Sequence, residues 1–447
     1  MRKRQIEYSE YVRFLYADPT RREEDDILHL ARDITFQITS ACNLRCSYCY
    51  EHHKCSEDMN IETAKRIIDS IFDTYEADND PFINRDTKAI VLDFIGGEPL
   101  LKAKLIEEIC DYWFAEGIRR EIPIIPFTRI SFATNGMLWF SEESQHLIKK
   151  YHEYMSLSVS IDGIKELHDM HRVDKNGNGS FDTAFRAFQD GKQYNWYNSK
   201  MTFVPESFQY ICDSVKMMID EGCVDIFCNY AYEPVYTKEQ AKALFTELRK
   251  LADYLVTEKK DVFVSILDDE IGEQYKDDKN YCGGTGDMLS YAPDGKAYPC
   301  VRYAPISVGK EKAEKMVLGD CFNGLYQTDE QKRIRDMLNA ITMKSQSEQK
   351  CIECPVSVGC GWCSGYNYEI TGTPNKRLTN VCLVHKARVL AACYYVNKRY
   401  IEIGDCDPKK INLPYEEAVD LIGEDAALDV FTYEYIAALF YEKNLEK

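Results

Sequence analysis

The sequence predicts an α/β fold: a partial barrel of about six βα units, followed by a loop-rich region that metal clusters hold together. Three observations support this prediction. Strand-like and helix-like segments alternate up to about residue 275, the alternation then gives way to Gly, Pro and Cys, and the cysteines gather in two regions. The chain has 447 residues, 45% of them apolar, so it can bury a sizeable core.

Strand-like and helix-like segments follow one another in the first part of the chain. The strands are predicted at 34–39, 89–95, 129–134, 154–161, 200–204 and 224–230. Helices are predicted near 61–75, 101–115, 142–151 and 181–194, and after each of the last two strands. Asn60 is a suitable N-cap for the first helix. Such repeats favour parallel strands with right-handed crossovers and chemistry at the C-terminal strand ends.

Charge and hydropathy exclude several classes of protein. The net charge is −19, from 55 basic and 74 acidic residues, and no stripe of Lys and Arg suggests a nucleic-acid partner. No apolar h-region follows the basic start MRKRQIEYSE, so a secretory signal is not expected. No run of about 18 apolar residues predicts a membrane span. The expected compartment is the cytoplasm.

Eighteen cysteines are unusual for such a chain. Disulfides are rare in the cytosol, so clustered cysteines there indicate metal binding or catalysis. Three of them lie at 42–49, and eight lie between Cys282 and Cys382. The sequence therefore predicts two separate cofactor regions.

Cys42, Cys46 and Cys49 are spaced to hold one [4Fe–4S] cluster and to leave one iron without a protein ligand. Such an open iron can bind a cosubstrate through its own donor atoms. The alternatives are a zinc site completed by His52 or His53, or three unrelated buried cysteines.

The segment ACNLRCSYCY, with Tyr48 directly before the third cysteine, resembles the signature of the radical S-adenosylmethionine (SAM) superfamily. Further matches follow in the family's order, roughly over residues 30–235. The resemblance implies a TIM-like partial (βα)6 barrel in which the reduced cluster cleaves SAM to a 5′-deoxyadenosyl radical. It implies the following SAM-binding residues: Gly96, Gly97 and Glu98 at the amino group, Asn135 near the cofactor, and Ser160 and Arg172 at the carboxylate.

The second cysteine region resembles the SPASM domain, which binds two auxiliary [4Fe–4S] clusters. Two residues separate Cys360 from Cys363, where the family commonly has three. The resemblance implies a distal cluster held by Cys351, Cys354, Cys360 and Cys382. It implies a proximal cluster held by Cys282, Cys300 and Cys363, whose fourth position is filled by Cys321 or is open to a substrate thiolate. The alternative is a pair of zinc ribbons.

The remaining cysteines are expected to be buried, weakly polar side chains without a cofactor role. They are Cys55, Cys110, Cys212, Cys223, Cys228, Cys393 and Cys406.

Relatives with a SPASM domain mostly modify peptides, so the resemblance implies a peptide maturase. The first hypothesis is thioether formation in a ribosomally made, Cys-containing precursor, since YCYEHHK, IETAK and FIGGEPLL resemble maturases of precursors with repeated Cys-x-x-x units. The second is an anaerobic sulfatase-maturing enzyme that makes formylglycine. Those relatives carry a catalytic Asp after the cysteine that matches Cys300, whereas Val301 and Arg302 follow here. A third is another peptide modification, such as a carbon–carbon crosslink.

The expected domains are an N-terminal extension at 1–30, a radical SAM core at 31–275, a SPASM domain at 276–400 and a helical C-terminal extension at 401–447. Thirty residues are too few for the leader-binding domain of about eighty residues found in many peptide maturases. Leader recognition is therefore expected at another surface, on a separate protein or in the C-terminal extension.

The expected partners are a precursor peptide and an electron donor such as flavodoxin or ferredoxin. The acid or base of the reaction is not identified by the sequence.

Overall fold

Strands and helices alternate through the first half of the computed structural model, which describes residues 31–445 except 79, 81, 198, 268 and 269. The predicted extension at 1–30 lies outside the described residues. The strands of this half are β1 (Ala31–Thr39), β2 (Ala89–Gly96), β3 (Thr128–Thr134), β4 (Met155–Val159), β5 (Lys200–Phe203), β6 (Asp225–Tyr230) and β7 (Phe263–Val264). The helices are α1 (Ile61–Ala77), α2 (Ala103–Arg119), α3 (Glu142–Tyr151), α4 (Lys165–His171), α5 (Phe181–Gly191), α6 (Ile211–Asp220) and α7 (Lys238–Thr257).

Local side chains fix where several helices begin. Asn60 accepts a hydrogen bond from the Thr63 backbone N–H at 2.8 Å, so the predicted N-cap of α1 is confirmed. Ser141 caps α3 in the same way through Ser144. These caps satisfy backbone N–H groups that have no partner within the helix.

The first sheet has eight strands in the order β11-β10-β9-β8-β1-β2-β3-β4. Strands β1, β2 and β3 pair in parallel, with Phe36 opposite Phe94 and ring centroids 5.7 Å apart. Every β1 residue from Ile34 to Thr39 is buried, which matches a central strand covered on both faces. The predicted α/β class with a mostly parallel sheet is therefore confirmed.

The cysteine-rich part of the chain also adds strands to this sheet. They are β8 (Met288–Tyr291), β9 (Lys296–Tyr298), β10 (Gly319–Asp320) and β11 (Gly324–Leu325). Strand β8 pairs with β1 in parallel, and β9 and β10 continue the sheet antiparallel. The sequence predicted only loops here, because strands of two to four residues leave almost no periodic pattern.

A separate sheet contains β5, β6 and β7, all parallel. The strands predicted for one barrel therefore fall in two sheets within the described residues. Ser199 directly precedes β5 and lies close to the carboxyl-terminal end of β4. Its hydroxyl accepts from Ile161 N at 3.1 Å and lies 3.1 and 3.0 Å from the carbonyl oxygens of Val159 and Ile161. A side chain thus links the end of β4 and the segment after it to the start of β5.

The remaining helices follow residue 300. They are α8 (Pro305–Val308), α9 (Lys310–Glu314), α10 (Asp329–Asn339), α11 (Met343–Gln346), α12 (Gln349–Ile352), α13 (Ser364–Thr371), α14 (Cys382–Glu402), α15 (Tyr415–Ile422) and α16 (Glu424–Leu445). The last two confirm the predicted C-terminal helices, and α16 packs on α14 through the rings of Tyr433 and Tyr394, 5.0 Å apart. Among the described helices, none has the length and hydropathy needed to cross a membrane.

The chain divides into two compact units. The first unit combines the described residues up to Asn43 with Glu51–Leu157 and Tyr281–Ala340. The second unit combines Leu44–Tyr50 with Ser158–Asn280 and the described residues from Ile341 onward.

Candidate functional site

In the first unit, the turn after β2 approaches the segment that leads from β1 to Cys42. The Gly97 N–H donates to the Thr39 carbonyl at 3.2 Å, and the Glu98 N–H donates to the Ala41 carbonyl at 3.0 Å. A Cβ on Gly97 would lie 2.2 Å from the Ala41 oxygen and 2.7 Å from Cys42 Cβ. Glycine is therefore required for this close approach. A Cβ on Gly96 would meet the Thr39 oxygen at 2.4 Å.

Glu98 links the glycine turn to the end of β3. Its carboxylate is 2% exposed and accepts hydrogen bonds from Thr134 Oγ1 at 2.6 Å, Asn135 N at 2.8 Å and Leu100 N at 3.0 Å. The Asn135 side chain donates to Asn43 Oδ1 at 2.7 Å, one residue after Cys42. Four of the predicted SAM-binding residues, Gly96, Gly97, Glu98 and Asn135, are thus brought together beside Cys42.

Glu51 is a buried acid of the first unit that the sequence analysis missed. Burial, with a smaller contribution from Glu98, raises its pKa to about 7 against the opposing charge of Lys54. Its only sequence signal is its place two residues after Cys49.

In the second unit, the loop carrying Cys46 and Cys49 lies along the segment after α4. The Arg45 N–H donates to the Val173 carbonyl at 2.7 Å, and the Ser47 N–H donates to the His171 carbonyl at 3.0 Å. The Cys49 N–H closes a turn on the Cys46 carbonyl at 3.2 Å. Backbone bonds therefore set the conformation of the loop around these two thiols.

Arg172 is held by an acid that the sequence analysis also missed. Its Nε and Nη2 donate to the two carboxylate oxygens of Asp162 at 2.7 and 3.1 Å, and its guanidinium lies 5.5 Å from the Tyr48 ring centroid. Burial opposes its charge, but Asp162 outweighs burial and holds the Arg172 pKa well above the ordinary value, with a smaller contribution from Cys46. The predicted Ser160 is half-buried and lies two residues before Asp162. The signal for Asp162 was the Asp-Gly pair after β4.

The four cysteines of the predicted distal cluster all lie in the second unit. Burial, with smaller contributions from Cys382 and Cys354, raises the pKa of Cys360 to about 11 against the opposing charge of Arg377. Burial also raises the pKa of Cys351, again with contributions from Cys382 and Cys354 opposed by Arg377. Cys351 and Cys360 therefore both lie within electrostatic reach of Cys354, Cys382 and Arg377.

Arg377 gives this group of thiols a positive partner. It is 6% exposed, its Nη2 donates to the Cys360 carbonyl at 3.0 Å, and its buried Nη1 has no hydrogen-bond partner. A buried cation close to Cys351 and Cys360 fits an anionic thiolate cluster. Within the described ranges, no three His, Cys, Asp or Glu side chains are close enough to ligate a single metal ion.

The cysteines of the predicted proximal cluster belong to different units. Cys282 and Cys300 flank the β8–β9 hairpin in the first unit, and Cys363 caps α13 in the second, accepting from the Tyr366 N–H at 3.4 Å. Cys321 is buried in the first unit, where its Sγ lies 2.6 Å from a Cβ built on Gly295. Burial raises the Cys321 pKa to about 11.

One prediction about the other cysteines is wrong. Cys55 is exposed rather than buried, because it lies in the irregular segment between the cysteine loop and α1. Cys406 is half-buried, and the other five are buried as predicted: Cys110, Cys212, Cys223, Cys228 and Cys393.

Parts of the chain are similar to known proteins. Residues 36–218 match the model of the Radical SAM superfamily. The chain is 28% identical over 150 residues to the antilisterial bacteriocin subtilosin biosynthesis protein AlbA of Bacillus subtilis, covering 33% of this chain and 27% of that protein. It is 26% identical over 157 residues to the cysteine-type anaerobic sulfatase-maturating enzyme of Clostridium perfringens, covering 35% and 39%.

These similarities cover only part of each relative. The chain spans about three fifths of the first curated relative, an uncharacterised protein of Methanocaldococcus jannaschii, and about two fifths or less of the next two. A solved structure of anSMEcpe with bound AdoMet and the peptide Cp18Cys has a TM-score of 0.60 at 17% identity, covering 81% of this chain and 96% of that chain. This likeness shows a shared fold.

Proposed function

We propose that the protein is a radical SAM enzyme that modifies a peptide. Cys42, Cys46 and Cys49 would hold the SAM-binding [4Fe–4S] cluster. The following residues would line the SAM site: Gly96, Gly97, Glu98, Asn135, Ser160 and Arg172. The observation that carries the proposal is the approach of the Gly97 turn to Cys42, which no residue with a Cβ would allow.

We further propose two auxiliary clusters. Cys351, Cys354, Cys360 and Cys382 would hold the distal cluster, supported by the electrostatic proximity of Cys351 and Cys360 to Cys354, Cys382 and Arg377. Cys282, Cys300 and Cys363 would hold the proximal one, with Cys321 or a substrate thiolate in the fourth position. When bound, the clusters and SAM supply a carbon-centred radical and take up the electrons that the reaction releases.

The favoured reaction is a thioether crosslink in a Cys-containing precursor peptide. The peptide would lose a hydrogen atom from carbon and a proton from the thiol, one electron would pass to an auxiliary cluster, and the sulfur–carbon bond would form. The AlbA relative, whose name places it in bacteriocin biosynthesis, supports a peptide substrate. The chain itself would position the peptide and exclude water from the site.

Formylglycine formation is the second candidate, and the sulfatase-maturating relative favours it. Against it stand Val301 and Arg302 after Cys300, where an Asp is expected. A carbon–carbon crosslink is a further alternative.

The proposed domains are a radical SAM core at 31–275, a SPASM region at 276–400 and a C-terminal extension at 401–447. Flavodoxin or ferredoxin is the proposed electron donor.

Mass spectrometry of the modified peptide distinguishes these reactions. The reconstituted enzyme would be incubated anaerobically with SAM, a reductant and a Cys-containing precursor. Thioether formation predicts loss of two hydrogens with sulfur retained, and the modified Cys resists alkylation. A product that has lost the sulfur would support formylglycine formation instead. A peptide that loses hydrogen but keeps an alkylatable thiol would support a carbon–carbon crosslink.

A further inference from the structure

Asp162 is a fully buried carboxylate that accepts four hydrogen bonds in the second unit. Its donors are the Tyr48 hydroxyl, Arg172 Nε and Nη2, and the Thr202 backbone N–H at 3.1 Å. A buried charge is stable only when it is paired and hydrogen-bonded, and here both oxygens are satisfied. The carboxylate therefore holds each partner in one arrangement.

These partners come from three separate parts of the chain. Tyr48 lies between Cys46 and Cys49 in the cysteine loop, Arg172 follows α4, and Thr202 lies in β5. One side chain thus ties the cysteine loop to the carboxyl-terminal end of β4 and to the next strand. Within the cysteine loop, the Tyr48 hydroxyl donates to Asp162, so the carboxylate acts on the loop through this bond.

A second chain of hydrogen bonds holds the backbone of Arg172. The Asp162 N–H points to His168 Nδ1 at 3.4 Å, His168 Nε2 lies 2.9 Å from Ser180 Oγ, and Ser180 Oγ donates to the Arg172 carbonyl at 2.7 Å. Burial lowers the pKa of His168 to about 4, with Arg172 contributing. The imidazole is therefore neutral. With its proton on Nε2, it accepts from the Asp162 N–H at Nδ1 and donates to Ser180 Oγ at Nε2.

The geometry leaves part of the guanidinium available. Asp162 uses two of the five N–H bonds of Arg172, so three remain for a second anion. The Tyr48 ring lies on the same guanidinium, 5.5 Å away. Asp162 fixes both the direction of these N–H bonds and the position of the ring.

We infer that Asp162 is a positioning residue that holds Tyr48 and Arg172 in place before SAM binds. This inference rests on the proposed function, since it assigns Arg172 to the SAM carboxylate. Fixing the two groups in advance removes their ordering cost from binding. Loss of the carboxylate therefore weakens SAM binding even where the chain still folds.

Equilibrium dialysis of SAM against the reconstituted full-length protein tests this inference. The variants are Asp162→Asn, Tyr48→Phe and the double variant. Tyr394→Phe is the matched control, because it removes a tyrosine hydroxyl that donates to Asp253 at 2.7 Å in the same unit. Iron content is measured for each variant, and dialysis is run well below each melting temperature.

Asp162→Asn is expected to raise the SAM Kd about tenfold or more, and Tyr48→Phe about threefold. The double variant is expected to bind SAM no more weakly than Asp162→Asn alone, because both changes remove one network. Tyr394→Phe is expected to lower the melting temperature without changing the Kd.

Unchanged SAM affinity in both Tyr48→Phe and Asp162→Asn, at full iron content, would overturn the inference while leaving the proposed function intact. If Asp162→Asn does not fold, Tyr48→Phe decides alone: an unchanged Kd overturns the inference and a raised Kd supports it. A wild-type protein that binds its iron but not SAM would overturn the proposed function and the inference together.

Discussion

At the residue scale, the absence of a Cβ on Gly97 allows the turn after β2 to approach Cys42 closely. Gly97→Ala would bring a methyl group within 2.2 Å of the Ala41 oxygen, so the turn must move away from Cys42. We expect the variant to lose about 1–3 kcal/mol in the free energy of unfolding, the usual effect of forcing extra atoms into a packed position. We also expect it to bind less iron after reconstitution.

Gly372→Ala is the control for this prediction. Gly372 has a φ of 78°, but nothing lies near the position of its Cβ. The variant is therefore expected to lose stability through backbone strain while binding iron normally. Equal iron binding by the two variants would show that the Gly97 approach does not shape the cluster site.

The buried Asp33 is expected to make the stability of the protein depend on pH. Burial and the neighbouring Asp93 raise its pKa from 3.8 to about 7. The folded state therefore binds more protons than the unfolded state between these two values, so this group lowers stability as the pH rises from about 4 to 7. Asp33→Asn cannot ionise and is expected to be more stable than the wild type at pH 8.

Urea unfolding of the cluster-free protein at pH 5 and pH 8 measures this effect. The stability difference between Asp33→Asn and the wild type is expected to grow at the higher pH. Asp86→Asn, at an exposed position, serves as the control. A wild-type advantage over Asp33→Asn at pH 8 would mean that Asp33 is charged and stabilising in the folded protein.

At the element scale, Ser199 links the end of β4 to the start of β5 through hydrogen bonds. Ser199→Ala removes the hydrogen bond from Ile161 N and leaves buried groups without a partner. A loss of about 1–3 kcal/mol in the free energy of unfolding is expected. Ser156→Ala, a half-buried serine in β4, is the control. Equal losses in the two variants would show that the Ser199 bridge adds nothing specific.

Helices and strands were predictable from the sequence where the residues that determine them are close together in the chain. Helix α3 was predicted at 142–151 and observed at Glu142–Tyr151, because its cap and its apolar positions lie close together in sequence. The pairing of β8 with β1 could not be predicted, since it joins residues some 250 positions apart through short strands. Asp162 was missed for the same reason, because Tyr48, Arg172 and Thr202 converge on it only in the fold.

At the scale of the whole molecule, the second cysteine region predicts the iron content. Cys354→Ala removes one thiol from the group around Arg377, so the protein is expected to bind about four fewer iron atoms per chain than the wild type. Cys55→Ala, at an exposed thiol outside the predicted ligand set, is expected to bind as much iron as the wild type. Equal iron in both variants would remove Cys354 from the ligand set.

The central claim is that Cys42, Cys46 and Cys49 support reductive cleavage of SAM. Its most direct test is release of 5′-deoxyadenosine from SAM by the anaerobically reconstituted and reduced full-length protein. The wild type is expected to release it, and the variant with all three cysteines changed to Ala is expected to release none. Equal release by that variant, or no release by a wild type with its full iron content, would contradict the claim.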